Sequence, residues 1–195
     1  MVENDALNRM DSVGSVETLF DIIEHIHQAD GATISAIAAE LDYAKSTVHR
    51  HLVTLEQQGY IVNDDGYYVG LRFLELGEDA RNRRRGYQLA KEKVEELAHE
   101  TAERAQFLVE EHAEAVYIHR ALGSRAVRTD PGIGKRIPLH ATASGKAMLA
   151  AMPTEKVSRI IEQTHFVEVT DETITDVEEL QQELSEIRER GYAFN

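Results

Sequence analysis

The chain has 195 residues, of which 42% are hydrophobic, and it carries no cysteine and a formal net charge of −14. This length suits one large domain or two small ones, and the lack of cysteine excludes disulfides, thiolate metal ligands and cysteine nucleophiles. It contains no apolar run of about 18 residues, and its first eleven residues are polar and acidic, so we expect no transmembrane helix, no signal peptide and a cytoplasmic location.

Apolar residues at helical spacing predict three helices in the first part of the chain: residues 16–28 with Ser15 as N-cap, residues 34–41 with Thr33 as N-cap, and residues 45–57. The corner between the second and third helices is Asp42-Tyr43-Ala44. Many helix-turn-helix corners hold Gly here, and Asp42 tolerates left-handed backbone geometry less easily.

The third predicted helix has one inward and one outward face. Val48, Leu52 and Leu55 recur at i, i+4 and i+7, so they point inward. Ser46 and Arg50 lie nearly opposite them on the helix. The outward face is therefore polar and carries a cation.

A hairpin is predicted directly after this helix. Gly59 ends the helix, and strands over residues 60–62 and 67–69 flank a turn signal at residues 63–66. Helices followed by a hairpin indicate a winged helix-turn-helix over residues 12–70, a shape that presents its last helix to the DNA major groove.

The charge of this region opposes DNA binding. Residues 1–80 contain four basic and fifteen acidic side chains, a net charge of −11, whereas phosphate neutralisation normally supplies much of DNA affinity. Either the domain does not bind nucleic acid, or it works in concentrated salt, where Coulomb forces are screened within about 3 Å at 1 M. Only six of the 21 basic residues are lysines, and we favour a halophilic origin.

A linker helix is predicted over residues 71–86, and its arginine cluster at residues 81–85 is either a solvated helix face or a phosphate-facing one. Residues 87–195 mix strands with helices, which indicates an α+β domain. The predicted elements are a helix over 87–101, strands over 105–109, 115–120 and 125–129, a loop over 130–134, helices over 142–152 and 154–163, a helix opened by a capping box at Thr175–Glu178 and stopped by Gly191, and a strand over 192–194.

Several sequence blocks, in the same order, resemble the IclR family of bacterial and archaeal transcription regulators. They are Ala44–Arg50 with Leu55 and Gly59-Tyr60, Gly66–Gly70, Gly134–Ala147, Thr173-Ile174-Thr175 and Arg188–Tyr192. Together with the acidic charge, this resemblance predicts a family member from a halophilic archaeon.

The resemblance implies a winged helix-turn-helix, a linker helix and a GAF-like effector-binding domain over residues 87–195. It implies homodimers or tetramers that bind palindromic double-stranded operator DNA as repressors or activators and respond to a small organic acid, with no cofactor. Members of the family usually run further, so we expect the GAF-like domain to be incomplete here. An alternative is a ligand-binding or dimerisation module of the same fold that no longer binds DNA.

The DNA-binding residues predicted on the third helix are Lys45, Ser46, Thr47, His49 and Arg50. Arg50 is the predicted base reader, since its fork matches the O6 and N7 acceptors of guanine. Alternatively, Arg50 forms an ion pair with Glu56 or with a carboxylate of the hairpin.

The segment His140–Lys146 opens a helix, and free N–H groups at such a start favour an anion. We predict that Ala143 and Ser144 hold an effector carboxylate, that Gly145 lets it approach the backbone, and that Leu139 and Met148 form apolar walls. The alternative is an ordinary capped helix whose small residues serve packing, with Leu139 and Met148 in the core.

No enzyme chemistry is predicted from the sequence. His25 and His27 are two residues apart on a helix and face different directions, and His99-Glu100 lacks the second His of a zincin. His112 and His119 have no evident carboxylate partner. Gly145-Lys146 is not a P-loop, because that motif needs Gly at position 140 and Ser or Thr at position 147. We therefore expect neither a catalytic nor a metal site.

Overall fold

The computed structural model describes residues 12–127 and 132–195, and the chain divides into two compact units, one through Ala80 and one from Arg81 onward. The first unit contains α1 (Gly14–Gln28), α2 (Ile34–Glu40), α3 (Lys45–Gln57), β1 (Ile61–Asn63), β2 (Tyr67–Val69) and most of α4 (Arg72–Asn82). The observed order of three helices followed by a hairpin agrees with the sequence pattern.

The core of the first unit is the set of inward positions on α1, α2 and α3. Ile22, Ile37, Val48 and Leu52 are completely buried there. Each such side chain contributes about 1.5–3 kcal/mol relative to an exposed one. The core therefore fixes which face of α3 turns outward.

The start of α1 differs from the prediction, whereas the corner before α3 lies at Asp42-Tyr43-Ala44 as predicted. Helix α1 begins at Gly14 with Val13 as N-cap, so Ser15 is a helical residue and not the cap. Asp42 adopts left-handed geometry with φ of 53°, despite its lower tolerance for it. The Tyr43 hydroxyl donates a 2.7 Å hydrogen bond to Asp21, which holds the corner and raises the pKa of Tyr43.

Strands β1 and β2 pair antiparallel, with Ile61 opposite Val69. The ring of Tyr68 packs on Gly31, where an added Cβ would lie 2.2 Å from the ring. The Arg72 guanidinium donates a 2.6 Å hydrogen bond to the Gln58 carbonyl and lies over the Tyr60 ring. The Tyr68 contact fixes the hairpin to the loop after α1, and the Arg72 contacts fix the start of α4 to the end of α3.

The second unit contains α5 (Arg85–Thr101), β3 (Arg104–Glu111), β4 (Glu114–Leu122), β5 (Arg136–Pro138), a 3₁₀ turn (Leu139–Ala141), α6 (Ala143–Ala151), α7 (Thr154–Gln163) and α8 (Val177–Arg190). The three strands form an antiparallel sheet in the order β3-β4-β5. Buried residues of β4, α6, α7 and α8 form its largest core cluster.

Several predicted boundaries in the second unit are wrong. Helix α4 ends at Asn82, and Arg85 and Gly86 already belong to α5, so no single helix covers residues 71–86. The strand predicted over 125–129 is absent through Val127, and its last two residues lie outside the described part. Of the predicted loop over 130–134, Asp130 and Pro131 also lie outside it, and residues 132–134 lead into β5, which the sequence pattern did not indicate.

The C-terminal elements also need correction. The N-cap of α8 is Asp176, whose carboxylate accepts a 2.9 Å hydrogen bond from the Glu179 N–H, so Thr175 is not the cap. Gly191 ends α8 with φ of 84°, as predicted. Residues 192–194 pair with no strand among the described residues and are not a strand. Over the same described ranges, no helix is both long and apolar enough to span a bilayer.

Candidate functional site

The outward face of α3 carries the predicted DNA-binding residues. Lys45, Ser46, His49 and Arg50 are exposed, and Thr47 is half-buried. Val48, Leu52 and Leu55, on the opposite face, are at most 4% exposed. The structure thus brings the five predicted residues together on one surface, with Thr47 at its edge, that the described part of the unit leaves open.

The first turn of α3 has no side-chain cap among the described residues. Ala44 is its N-cap and contributes no side-chain hydrogen bond. The Ala44 carbonyl accepts only from the N–H groups of Thr47 and Val48 in this turn. The first N–H groups of a helix favour an anion, so this turn suits a phosphate-bearing partner.

The start of α6 is occupied by the protein's own groups. Thr142 is the N-cap, and its hydroxyl accepts a 3.2 Å hydrogen bond from the Gly145 N–H. The Ala143 N–H donates to the Asn195 side-chain oxygen. Ala143 and Ser144 are half-buried. Of the two residues predicted to hold an effector carboxylate, Ala143 therefore already has a partner for its N–H, and the neighbouring Gly145 N–H is also used.

Packing accounts for the remaining residues predicted at this site. A Cβ on Gly145 would lie 2.2 Å from the Leu139 carbonyl oxygen, so a glycine is needed for close approach to that backbone. Leu139 is 2% exposed inside the core, and the partly buried Met148 packs against the same cluster. These three residues support the start of α6 from within.

Two buried histidines of the second unit are structural features that the sequence did not reveal. His140 is 2% exposed; its Nε2 lies 3.1 Å from the Val167 carbonyl, and its ring lies against Phe166. Its Nδ1 is buried and has no hydrogen-bond partner among the described residues. His119 is 5% exposed, with Nε2 2.7 Å from the Tyr87 carbonyl. Each histidine is bonded to a residue about 30 positions away, and no local sequence pattern predicts such a contact.

Carboxylates of the second unit are used in ion pairs. Burial alone would raise the pKa of Glu110, but hydrogen bonds from Lys156 and from the Ala113 N–H outweigh it and lower that pKa. Glu111 pairs with both Arg83 and Arg136. Across the described ranges, no group of three or more His, Asp or Glu side chains is placed to hold a metal ion.

Comparison with protein families matches almost the whole chain. Residues 15–65 match the family model described as IclR helix-turn-helix domain, and residues 83–195 match the one described as bacterial transcriptional regulator IclR C-terminal. The two matched segments follow each other along the chain as the helix-turn-helix and C-terminal parts of one regulator family do.

Individual relatives agree with the family match. The chain is 34% identical to the HTH-type transcriptional regulator KipR of Bacillus subtilis over 84% of its own length and 66% of that protein. It is 30% identical to the probable HTH-type transcriptional regulator ArcR of Halobacterium salinarum over 94% and 72%. The chain thus spans about two thirds of the length of these relatives.

A solved structure shows the same fold. It is an IclR homolog from Microbacterium hydrocarbonoxydans complexed with 4-hydroxybenzoate. The TM-score is 0.69 and the sequence identity is 24%, over 92% of this chain and 75% of that chain.

Proposed function

The chain belongs to the IclR family of transcription regulators, and on that premise we propose that it binds palindromic operator DNA through a winged helix-turn-helix. The observation that supports this most is the outward face of α3, where Lys45, Ser46, His49 and Arg50 are exposed side by side. A recognition helix contacts base edges through its N-terminal half. The β1–β2 hairpin takes the position of the wing.

The test is capture of promoter DNA under the salt conditions that the acidic charge implies. Fragments from the gene's own upstream region are titrated with the protein at about 1 M KCl and at lower salt. We expect one fragment to be retained, with a shallow dependence of affinity on salt. Failure to retain any fragment at either salt would favour the alternative function, a module of this fold that has lost DNA binding, which the net charge of −11 over residues 1–80 motivates.

We also propose that the second unit is a GAF-like domain that senses a small organic acid at the start of α6. Ala143 and Ser144 are the residues that would meet the carboxylate, with Thr142 holding the turn. The acid would have to displace the Asn195 side chain from the Ala143 N–H. The crystallised homolog that binds 4-hydroxybenzoate makes aromatic acids the first class to test.

Thermal unfolding with and without candidate acids tests this proposal. A ligand at 100 times its Kd stabilises the folded state by about 2.7 kcal/mol. We expect 4-hydroxybenzoate or a related acid to raise the melting temperature. The methyl ester of the same acid is the matched control, because it keeps the ring and removes the charge. Equal shifts with acid and ester would place the carboxylate elsewhere.

The functional unit that we propose is a homodimer or tetramer in the cytoplasm. An exposed apolar stripe at the start of α1 supports it: the N-cap Val13 and the helical residues Val16 and Phe20 are 61%, 47% and 58% exposed. Leu71, directly before α4, is 84% exposed, Leu74 on α4 is 62% exposed, and none of the described residues of α4 is buried. Light scattering behind size exclusion measures the mass, and a monomer at micromolar concentration would contradict the proposal.

A further inference from the structure

A groove of about 340 Å³ separates the beginning of α1 from the outward side of α3. A water molecule takes up about 30 Å³ of liquid, so the groove has room for a phosphate group with part of its hydration. Its lining residues are Gly14, Ser15, Thr18, Thr47, Arg50, His51 and Thr54. The sequence patterns did not indicate a ligand contact for Gly14, Ser15, Thr18, His51 or Thr54.

Helical spacing explains why these side chains meet. On α3, Thr47, Arg50, His51 and Thr54 occupy i, i+3, i+4 and i+7, one continuous stripe. This stripe is a flank of the exposed face that carries Ser46 and His49. The groove is therefore contiguous with the face on which DNA bases would be read.

The groove offers hydrogen-bond donors. The Thr18 hydroxyl donates to the Gly14 carbonyl and the Thr54 hydroxyl donates to the Arg50 carbonyl, each over 3.0 Å, so those two protons are used inside the helices. Ser15 and Thr47 bring further hydroxyls, Arg50 brings a guanidinium and His51 an imidazole. A ligand in this groove would be one that accepts hydrogen bonds.

The charge of the lining differs from that of the rest of the domain. Residues 1–80 carry fifteen acidic and four basic side chains. Among the described residues that line the groove there is no Asp or Glu, and Arg50 and His51 are both present. In so acidic a domain, this groove is a local site for an anion.

We propose that the groove seats one backbone phosphate of the bound DNA. Ser15, Thr47 and His51 hold that phosphate and fix the register of α3, while Lys45, Ser46 and His49 face the bases. Contacts to phosphate position a protein on the duplex without reading sequence. This inference rests on the proposed DNA-binding function and adds to it a residue set on α1.

Charge substitutions at Ser15 test the groove, because Ser15 is exposed and its side chain is small. Ser15→Glu is expected to weaken binding roughly tenfold on operator and on scrambled DNA alike, since a carboxylate would then face the phosphate. Ser15→Lys is expected to strengthen binding to both DNAs and to steepen the salt slope by about 0.9.

The matched controls are Gln28→Glu and Gln28→Lys, which make the same change of net charge at the exposed far end of α1. We expect both to stay within about twofold of the wild type, because exposed charges beyond a Debye length are screened. If the Ser15 and Gln28 variants change affinity equally, the groove proposal is wrong while the DNA-binding function stands. If the wild type binds no DNA, the function itself fails.

Backbone chemistry then identifies the phosphate. A scan of operator DNA with single neutral methylphosphonates is expected to show one position where binding by the wild type weakens and binding by Ser15→Glu does not. Absence of any such position overturns the proposal. Inorganic phosphate at millimolar concentration, added without DNA, tests for a free ion: a rise in melting temperature that depends on Ser15, together with equal operator affinity of the wild type and Ser15→Glu, would assign the groove to free phosphate and overturn the assignment to DNA.

Discussion

The first turns of α3 and α6 are both helix starts that favour an anion, and they are built in different ways. Ala44 caps α3 without a side-chain hydrogen bond, and the residues that follow it are exposed. Thr142 caps α6 with its hydroxyl, Asn195 occupies the Ala143 N–H, and Gly145 packs against the Leu139 backbone.

At the start of α3 a ligand would meet exposed side chains. At the start of α6 a ligand would have to replace the contact between Asn195 and the Ala143 N–H. A phosphate can approach the first turn of α3 without moving any group of the first unit that the structure describes. An acid at α6 gains only the difference between its own contacts and those of Asn195. We therefore expect the DNA contact to depend on side chains at the surface and the effector contact to depend on packing behind it.

The largest expected effect is on folding stability, and it comes from a substitution where α6 packs against the Leu139 backbone. Gly145→Ala would place a Cβ 2.2 Å from the Leu139 carbonyl oxygen, and overpacking of this kind costs about 1–3 kcal/mol or more. Urea denaturation followed by circular dichroism measures the loss. Gly86→Ala is the control, because a Cβ there meets nothing within 4 Å. Equal stability of the two variants would contradict the tight packing of α6.

Removal of the Arg50 cation tests the contribution of the α3 surface to DNA affinity. Arg50→Ala is expected to cost about 1–3 kcal/mol on specific DNA and to relax sequence preference. Folding stability should change by no more than about 0.5 kcal/mol, since Arg50 is exposed. Gel-shift titrations with operator and mutated sites measure both effects. Gln57→Ala, an exposed change at the end of the same helix, is the control and should leave affinity unchanged.

If Arg50 were instead paired with Glu56 or a hairpin carboxylate, Arg50→Ala would lower stability and leave operator affinity unchanged. Among the described residues, no carboxylate lies close enough to the Arg50 guanidinium to form an ion pair. The two measurements together therefore decide between the base-reading role and the structural role.

Loss of the Thr142 cap of α6 is expected to have a smaller effect on folding stability. Thr142→Ala removes the acceptor for the Gly145 N–H, and loss of such a cap costs about 1 kcal/mol. Thr142→Ser keeps the hydroxyl and should remain close to the wild type. Thermal unfolding measures the difference. An unaltered melting temperature in Thr142→Ala would mean that Asn195 alone stabilises this turn.

Local patterns predicted the first unit better than the second. The stripe Val48, Leu52, Leu55 sufficed to orient α3, because the helical period and the hydrophobic effect act over a few residues. Strand β5 was missed because Arg136–Pro138 has three residues and is defined by its pairing with β4, opposite Glu114–Val116. A short edge strand has no period of its own.

The candidate sites show the same division. Four of the five residues predicted on α3 are exposed and Thr47 is half-buried at the edge of that face, since exposure there follows from the helical period. At α6 the sequence indicated the helix start, but not that Asn195, 52 residues away, contacts it or that Leu139 lies in the core. Contacts between distant residues depend on the whole fold, and a single sequence does not reveal them.

The smallest expected effect on stability comes from Asp42, in the corner before α3. The same substitution tests whether α3 is already positioned in the free protein. Asp42 is left-handed, with φ of 53°, a geometry that an L-residue adopts at a cost and glycine adopts freely. Asp42→Gly is expected to stabilise the first unit by about 0.5–1 kcal/mol without changing operator affinity, because the corner is already formed in the free protein. Asp42→Ala, which keeps a Cβ and loses the tolerance of Asp, should not stabilise it. Thermal unfolding and gel shift on both variants measure this, and a gain in affinity with Asp42→Gly would show that α3 is positioned only when DNA binds.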